Sequence, residues 1–201
     1  MRKVFSSLLF VFASTTSTVA QEECKTITDD SARLSCYDVA FGALETDTVA
    51  VEDNGKWIVR TDVSPLTDDK NVFLSLQSEN EVPGKYGGRG KGVIWLRCME
   101  NTTAVLINFN NHFMSDHAGG GTVEFRRDDS PLYKSRMNES NDNSSLGLWN
   151  GGNAIPFIKG LLGTKQLIVR ATPFSESAIT LTFDVTGVDN AITELRETCS
   201  W

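Results

Sequence analysis

His112, Asp116 and His117 are the residues of this sequence whose types best suit a metal ion. Imidazole and carboxylate groups are common metal ligands, and a catalytic zinc site needs three of them with one position left open. The spacing from 112 to 117 does not align the histidines on one helix face, and glycines follow at 119–121. We therefore interpret the segment as a polar loop with exposed side chains and predict no bound metal.

Covalent catalysis and phosphate binding find little support in the sequence. Ser115 beside Asp116 supplies the residue types of a catalytic triad, but adjacent residues do not usually reach triad geometry, and the chain lacks a G-x-S-x-G elbow. Arg89 lies among glycines at 87, 88 and 90, without the strand, helix and Lys-Ser/Thr pair of a phosphate loop. We interpret this segment as a hairpin tip, and predict neither enzymatic activity nor a cofactor.

Three tryptophans could stack on sugar rings or on a partner protein. Trp57 and Trp95 lie in predicted strands, where large aromatic side chains ordinarily belong to the core. Trp149 lies in a glycine-rich stretch at 147–152 and is more plausibly exposed. Together with the polar residues of the neighbouring loops, Trp149 forms the candidate binding surface that we predict from the sequence. Its residues are Trp149, Asn150, Arg89, His112, Asp116 and His117.

The chain begins with a segment typical of a cleavable signal peptide. Arg2 and Lys3 precede a short apolar run at 4–13, and small residues at 18–20 come before a polar 21–23. A membrane span needs about 20 consecutive apolar residues, whereas serines and threonines at 14–18 end this run early. We predict cleavage after residue 20 and a periplasmic mature protein without membrane insertion.

The chain is acidic, with a formal net charge of −7 at pH 7. Nucleic-acid binding requires clustered Lys and Arg, so we predict no nucleic-acid partner, and anionic lipid surfaces are equally disfavoured. Net negative charge is a common device that keeps an exported protein in solution.

Four cysteines in an exported chain indicate disulfides. Cys24 and Cys36 bracket a short helical segment, while Cys98 and Cys199 lie far apart in the sequence. Of the three possible pairings, we prefer Cys24–Cys36, which closes a local loop, together with Cys98–Cys199, which attaches the C-terminal segment to a core strand. Dispersed thiols without C-x-x-C spacing rarely form a zinc site by themselves.

The hydrophobic pattern predicts a mainly β protein. A helix is expected at 27–44, after which alternation and turn residues indicate an antiparallel β-sandwich of about seven strands. These strands are expected at 57–62, 72–78, 92–98, 103–109, 122–127, 166–172 and 179–185. Two long polar loops are expected at 80–91 and 128–152, and two further helices at 155–162 and 188–198.

The predicted organisation is a signal peptide at 1–20, a disulfide-bonded helical segment at 21–50 and a β-sandwich domain with a C-terminal helix at 51–201. The six side chains that we expect in the core of this domain are Leu74, Leu76, Leu96, Leu106, Leu181 and Phe183.

The order and spacing of several short motifs resemble the VasI/TagO-like family of type VI secretion-associated proteins of Gram-negative bacteria. These motifs are Cys24, RLSCYD at 33–38, Trp57, SPLTDD at 64–69, LRC at 96–98 followed by ENTT at 100–103, VEFR at 123–126, and LR at 195–196 leading to CSW at 199–201. The resemblance covers nearly the whole mature chain. It implies a periplasmic accessory role beside the secretion machine and supplies no catalytic residues.

Three functions follow as hypotheses. The first is a non-enzymatic accessory protein whose partners are protein components of a secretion apparatus. The second is a module that binds peptidoglycan, another glycan or a small molecule through Trp149 and the Asn-rich loop. The third is a metal-dependent hydrolase at His112, Asp116 and His117. Replacement of both histidines would abolish such a metal site. We expect that double replacement to leave folding almost unchanged.

Overall fold

The computed structural model of this protein describes residues 24–40 and 53–201. The chain divides into two compact units, Met1–Val51 and Glu52–Trp201, and each is described by itself. The predicted signal peptide lies outside the described residues.

The described part of the first unit is a short helix joined by a disulfide to the residues before it. Helix α1 spans Asp30–Ala40, and the side chain of Asp29 accepts a hydrogen bond from the backbone N–H of Ala32 at 2.8 Å. This is N-cap geometry, in which a carboxylate satisfies an otherwise unpaired helix donor. The Cys24–Cys36 disulfide is present as predicted. Residues 41–44, the end of the predicted helix, lie outside the described residues.

The second unit is built on nine strands that form one antiparallel sheet. The strand order is β1-β2-β3-β4-β7-β6-β5-β8-β9. The mainly β, antiparallel prediction is confirmed, but the described strands number nine, and they make one continuous sheet, so two separate sheets of a sandwich are not confirmed. The strands are β1 Ile58–Val63, β2 Lys70–Pro83, β3 Arg89–Met99, β4 Thr102–Asn108, β5 Gly121–Arg127, β6 Tyr133–Glu139, β7 Ser145–Leu148, β8 Gln166–Ala171 and β9 Ile179–Asp184.

The sheet curls until β9 reaches β2. The register of β2 shifts between Gln77 and Glu81, and within this irregularity the Asn80 amide bonds to the backbone of β9. Its Nδ2 donates to the carbonyl of Thr180 at 2.9 Å, and its Oδ1 accepts from the N–H of Thr182 at 2.8 Å. One side chain therefore links two strands that are far apart in the sheet order.

The apolar side chains enclosed by the curled sheet form one core. Five of the six predicted core residues are fully or almost fully buried, namely Leu74, Leu76, Leu96, Leu181 and Phe183. Leu106 is the exception, because in β4 the neighbouring Val105 and Ile107 face the core and strand alternation turns Leu106 outward. The run of apolar residues in β4 conceals this alternation in the sequence.

Two strands lie where the sequence predicted a long polar loop at 128–152. Strand β6 pairs with β5 and β7, and β7 pairs with β4. In β6 only Met137 is buried, so the strand carries mostly polar side chains and lacks a clear apolar alternation. Tertiary pairing, rather than local sequence preference, makes these residues strands.

Short helices complete the second unit. Helix α2 spans Gly151–Lys159, earlier than the predicted 155–162. The predicted helix at 188–198 is two helices, α3 Val188–Ala191 and α4 Thr193–Thr198. The Cys98–Cys199 disulfide attaches the end of α4 to β3, as predicted. Across the two described stretches, no helix is both long and apolar enough to cross a membrane.

Candidate functional site

A row of side chains crosses the outer face of the sheet, opposite the core. The strand register places Trp95 of β3 beside Ser75 of β2 and Leu106 of β4, and Leu106 beside Gly147 of β7. Trp95 and Leu106 are half-buried, so the expectation that Trp95 belongs to the core is wrong. Trp57, by contrast, is buried as predicted, and its indole N–H donates to the carbonyl of Val185 at 3.3 Å.

Trp149 completes this row by folding back over Gly147. A β-carbon on Gly147 would lie 2.7 Å from the Trp149 ring, so the absence of a side chain there is what lets the indole lie against the strand. The indole N–H donates to the carbonyl of Asn138 at 3.1 Å. The ring is half-buried, so one part of Trp149 is anchored and the rest faces solvent.

Arg97 lies beside this aromatic row, two residues after Trp95 on the same face of β3. Its guanidinium carbon is 5.5 Å from the centre of the Trp149 ring, a cation–π contact. Burial lowers the pKa of the Arg97 guanidinium from its ordinary value, although an arginine stays protonated at neutral pH. The result is a half-buried positive charge set among apolar side chains.

These residues line a groove made of two adjoining depressions of about 620 Å³ and 400 Å³. Both depressions contain Arg97 and Leu106; Trp149 lines the larger, and Phe73 and Trp95 line the smaller. We call this surface the outer groove. Its floor is mainly aromatic and aliphatic, which is typical of the centre of a recognition surface.

The turn between β6 and β7 forms the polar rim of the outer groove. Asp142 accepts hydrogen bonds from the hydroxyls of Ser140 and Ser144 at 2.5 and 2.9 Å and from the N–H of Ser144 at 3.1 Å. These donors lower the pKa of Asp142, with the Ser140 hydroxyl the largest contribution. The amide of Asn108 donates to the carbonyl of Ser144 at 3.0 Å and connects the turn to β4. The rim is thus held in place by its own hydrogen bonds.

Of the residues in the predicted binding surface, only Trp149 lines the outer groove. Asn150 has a structural role as the N-cap of α2, because its side chain accepts from the N–H of Asn153 at 3.1 Å. Arg89 lies at the start of β3, where it bonds to the carbonyl of Glu81 at 2.6 Å and lies 3.8 Å from the Glu81 carboxylate.

The histidine segment is a loop, as the sequence predicted, but His112 within it is not exposed. His112 is only 4% exposed, which contradicts its place on a binding surface. Its Nε2 lies 2.8 Å from the carbonyl oxygen of Pro83. Its Nδ1 lies 2.7 Å from Oε2 of Glu176, close enough for an ion pair but not aligned as a hydrogen bond. His112 therefore contacts Pro83 and Glu176 within the fold and is not available at the surface.

Asp116 and His117 are exposed, and each makes its main contact with another residue. Both oxygens of Asp116 accept hydrogen bonds at 3.1 Å from the guanidinium of Arg136, which lowers the pKa of this carboxyl. The His117 ring packs edge-on against Phe174, with ring centres 5.0 Å apart. Among the residues that the structure describes, no group of three or more His, Cys, Asp and Glu side chains could hold a metal ion.

The sequence missed Arg97, Trp95 and Leu106 as surface residues. The alternation of β3 contained the signal, because Ile94 and Leu96 alternate with Trp95 and Arg97. A charged residue on the same face as Trp95 indicates that this face is the solvent side. Phe73 gives the same signal on β2, where it alternates with Val72 and Leu74.

The fold and the groove define a disulfide-bonded antiparallel β protein with an aromatic-lined groove on the outer face of its sheet. A family model described as "Type VI secretion system VasI, EvfG, VC_A0118" matches residues 23–201. The chain belongs to this VasI family, as the sequence motifs indicated, and the protein is therefore associated with type VI secretion.

Other comparisons add little. No curated protein matches the chain. A solved structure, invasion associated protein b from Bartonella henselae, aligns with a TM-score of 0.48 and 14% sequence identity over 73% of this chain and 96% of that chain.

Proposed function

We propose that this protein is a non-catalytic periplasmic accessory of type VI secretion that binds another protein through the outer groove. The observation that carries the proposal is the half-buried aromatic floor on the solvent side of the sheet, where Trp95, Leu106 and Trp149 lie outside the core and line the two adjoining depressions of the outer groove. Large apolar side chains of this kind are enriched where proteins bind one another.

The groove suits binding because its parts are held before a partner arrives. Strand pairing fixes Trp95 and Leu106, and Trp149 is anchored by its hydrogen bond to Asn138. A preorganised surface loses less conformational entropy on association. Membership of the VasI family supports the link to the secretion machine, and the two disulfides support an oxidising compartment.

Photo-cross-linking in cells tests the proposal. A benzoylphenylalanine at position 106 lies in the outer groove, and one at Leu132, which is exposed elsewhere, is the control. We expect position 106 to form a cross-link to another protein in the periplasmic fraction and position 132 to form none. If neither position captures a protein in cells that secrete normally, the groove is not a protein-binding surface.

Gly147→Ala provides a matched test, because its new β-carbon would lie 2.7 Å from the Trp149 ring and displace it. We expect the cross-link from position 106 and type VI secretion to decrease together, with a loss of stability of about 1–3 kcal/mol, typical of overpacking. Gly152→Ala, in the first turn of α2, meets only the end of the Asn150 side chain and is the control. Normal secretion in the Gly147→Ala strain would contradict the proposal.

A glycan-binding function is the second candidate, because hydroxyls and a carboxylate at 140–144 border the aromatic floor. Isolated peptidoglycan sacculi incubated with the purified protein test this candidate. Retention that Gly147→Ala abolishes would favour it over protein binding.

A further inference from the structure

Arg97 differs from most arginines of this protein in its surroundings. In the described residues it has no carboxylate within ion-pair distance and no hydrogen bond from its side chain to a protein group; its guanidinium lies instead against the Trp149 ring. Five other arginines each have a carboxylate within 4.0 Å: Arg33, Arg89, Arg126, Arg136 and Arg170.

Four of those five, Arg89, Arg126, Arg136 and Arg170, are exposed, whereas Arg97 is half-buried. Arg97 is therefore a partly buried charge without a carboxylate beside it. Such a charge costs free energy, because it loses water without gaining an opposite charge. An incoming carboxylate would recover that free energy.

The acidic side chains near the outer groove do not supply this partner. Asp142 on the rim accepts three hydrogen bonds from Ser140 and Ser144, and Glu139 lies in the lining of the larger depression beyond ion-pair distance of Arg97. The groove therefore presents one unpaired cation surrounded by Trp95, Leu106 and Trp149.

We propose that Arg97 binds the carboxylate of an Asp or Glu residue in a segment of the partner protein, while Trp95, Leu106 and Trp149 contact an apolar side chain next to it in that segment. This rests on the proposed function and specifies its partner chemistry. The planar guanidinium can bind a carboxylate through two parallel hydrogen bonds. The Trp149 ring lies beside this guanidinium and so borders the position where the carboxylate would bind.

The charge distribution selects a single carboxylate over a polyanion. Nucleic acid requires several clustered cations, whereas Arg97 is the one basic side chain among the residues that line the two described depressions. The net charge of −7 would also repel an extended polyanion. An acidic residue flanked by apolar ones fits a groove with one cation and an aromatic floor.

A peptide array tests the proposal while the partner protein itself is still unidentified. The probe is a library of random ten-residue peptides, acetylated and amidated at their ends so that every carboxylate belongs to a side chain, incubated with the full-length mature protein. We expect the bound peptides to be enriched in Asp or Glu within two positions of Phe, Trp or Leu. Replacement of that acid by its amide should weaken binding about ten-fold or more, the usual scale for a charged hydrogen-bonded group.

Variants of the protein provide the reciprocal test. Arg97→Met removes the charge but retains an unbranched side chain against Trp149, and should abolish the preference for acids. Arg97→Lys keeps the charge without the planar fork and should give intermediate affinity. Arg126→Met, on β5 and exposed, is the control and should bind like the unmodified protein.

Each outcome is decisive. Peptides selected without an acid, no selected peptides, or an unchanged preference in Arg97→Met would overturn the proposal. If Arg97→Met does not fold, the acid-to-amide change in the peptide still tests the same contact on the unmodified protein. Retention on peptidoglycan sacculi that depends on Arg97 would assign the groove to the cell wall instead.

The cross-link from position 106 separates this inference from the proposed function. A cross-link to another protein together with no acid preference means that the groove binds a protein but that Arg97 does not select its partner. A cross-link from position 106 to the first unit of the same chain would assign the groove to an internal contact. That result would overturn both the proposed function and the inference about Arg97.

Discussion

At the residue scale, the two histidines show how one segment can place similar side chains in opposite environments. His112 is 4% exposed and lies against Pro83 and Glu176. His117 is exposed and contacts the edge of the Phe174 ring. The burial of His112 argues against the expectation that both could be replaced at little cost, and we keep that expectation as a prediction for His117 alone.

We predict that His112→Ala destabilises the protein by about 1–3 kcal/mol, because the buried hydrogen bond from its Nε2 to the carbonyl of Pro83 is lost, and only the Asn110 amide then donates to that oxygen. His117→Ala is the matched control and should change stability by no more than about 0.5 kcal/mol, as surface substitutions do. Urea unfolding at pH 7, followed by tryptophan fluorescence, measures both. Equal midpoints for the two variants would show that His112 is not structurally important.

At the element scale, an ion-paired ladder joins three strands on the outer face of the sheet. Glu124 of β5 lies opposite Lys134 of β6 and Arg170 of β8 in the register, and its carboxylate is 2.8 Å from the Lys134 ammonium and contacts the Arg170 guanidinium. Hydrogen bonds from Lys134 and then Arg170 lower the pKa of Glu124 below its ordinary 4.5. Opposite charges across strands stabilise their pairing.

This ladder predicts a pH dependence. Because the folded-state pKa of Glu124 is lowered, its stabilising contribution is complete above its ordinary pKa of 4.5 and is lost as pH falls through the folded-state value. Glu124→Gln should therefore lower the thermal midpoint at pH 7 and lose that difference as the pH falls below about 4. Thermal unfolding across this pH range measures the difference. Glu81→Gln, whose carboxylate is exposed and 3.8 Å from Arg89, is the control. A difference that persists unchanged at pH 2 would contradict the assignment.

At the scale of the whole molecule, the Cys98–Cys199 disulfide closes a loop over most of the second unit. Its cysteines are separated by 101 positions, against 12 for Cys24–Cys36. In the chain-entropy model, a loop of about 100 residues contributes roughly 4.7 kcal/mol by restricting the unfolded chain. The disulfide also attaches the residues after α4 to β3, next to the core.

We predict that replacing Cys98 and Cys199 with Ala lowers the melting temperature of the second unit by about 10 °C, on the order of 2–4 °C for each kcal/mol lost. Replacing Cys24 and Cys36 should leave that transition unchanged, since both ends of their loop lie in the first unit. Calorimetry of the two variants compares them directly. An equal decrease in both would mean that the disulfides do not act on separate units.

The sequence determined the features that depend on local pattern and on residue type. Period-two alternation located seven of the nine strands within a few residues, the cysteine spacing predicted both disulfides, and the short motifs predicted the family. The Asp29 cap shows the same principle, because a helix start depends on neighbouring residues alone.

Only the tertiary structure decided the features that depend on pairing between distant strands. In β4 several consecutive residues are apolar, so the outward position of Leu106 follows from its register with Trp95 and not from its type. Strands β6 and β7 exist because β4 and β5 supply their hydrogen bonds. The outer groove joins residues of β2, β3 and β4 with Trp149, and a sheet brings such residues together only when the long-range register is set, since a shift of one residue turns each side chain to the opposite face.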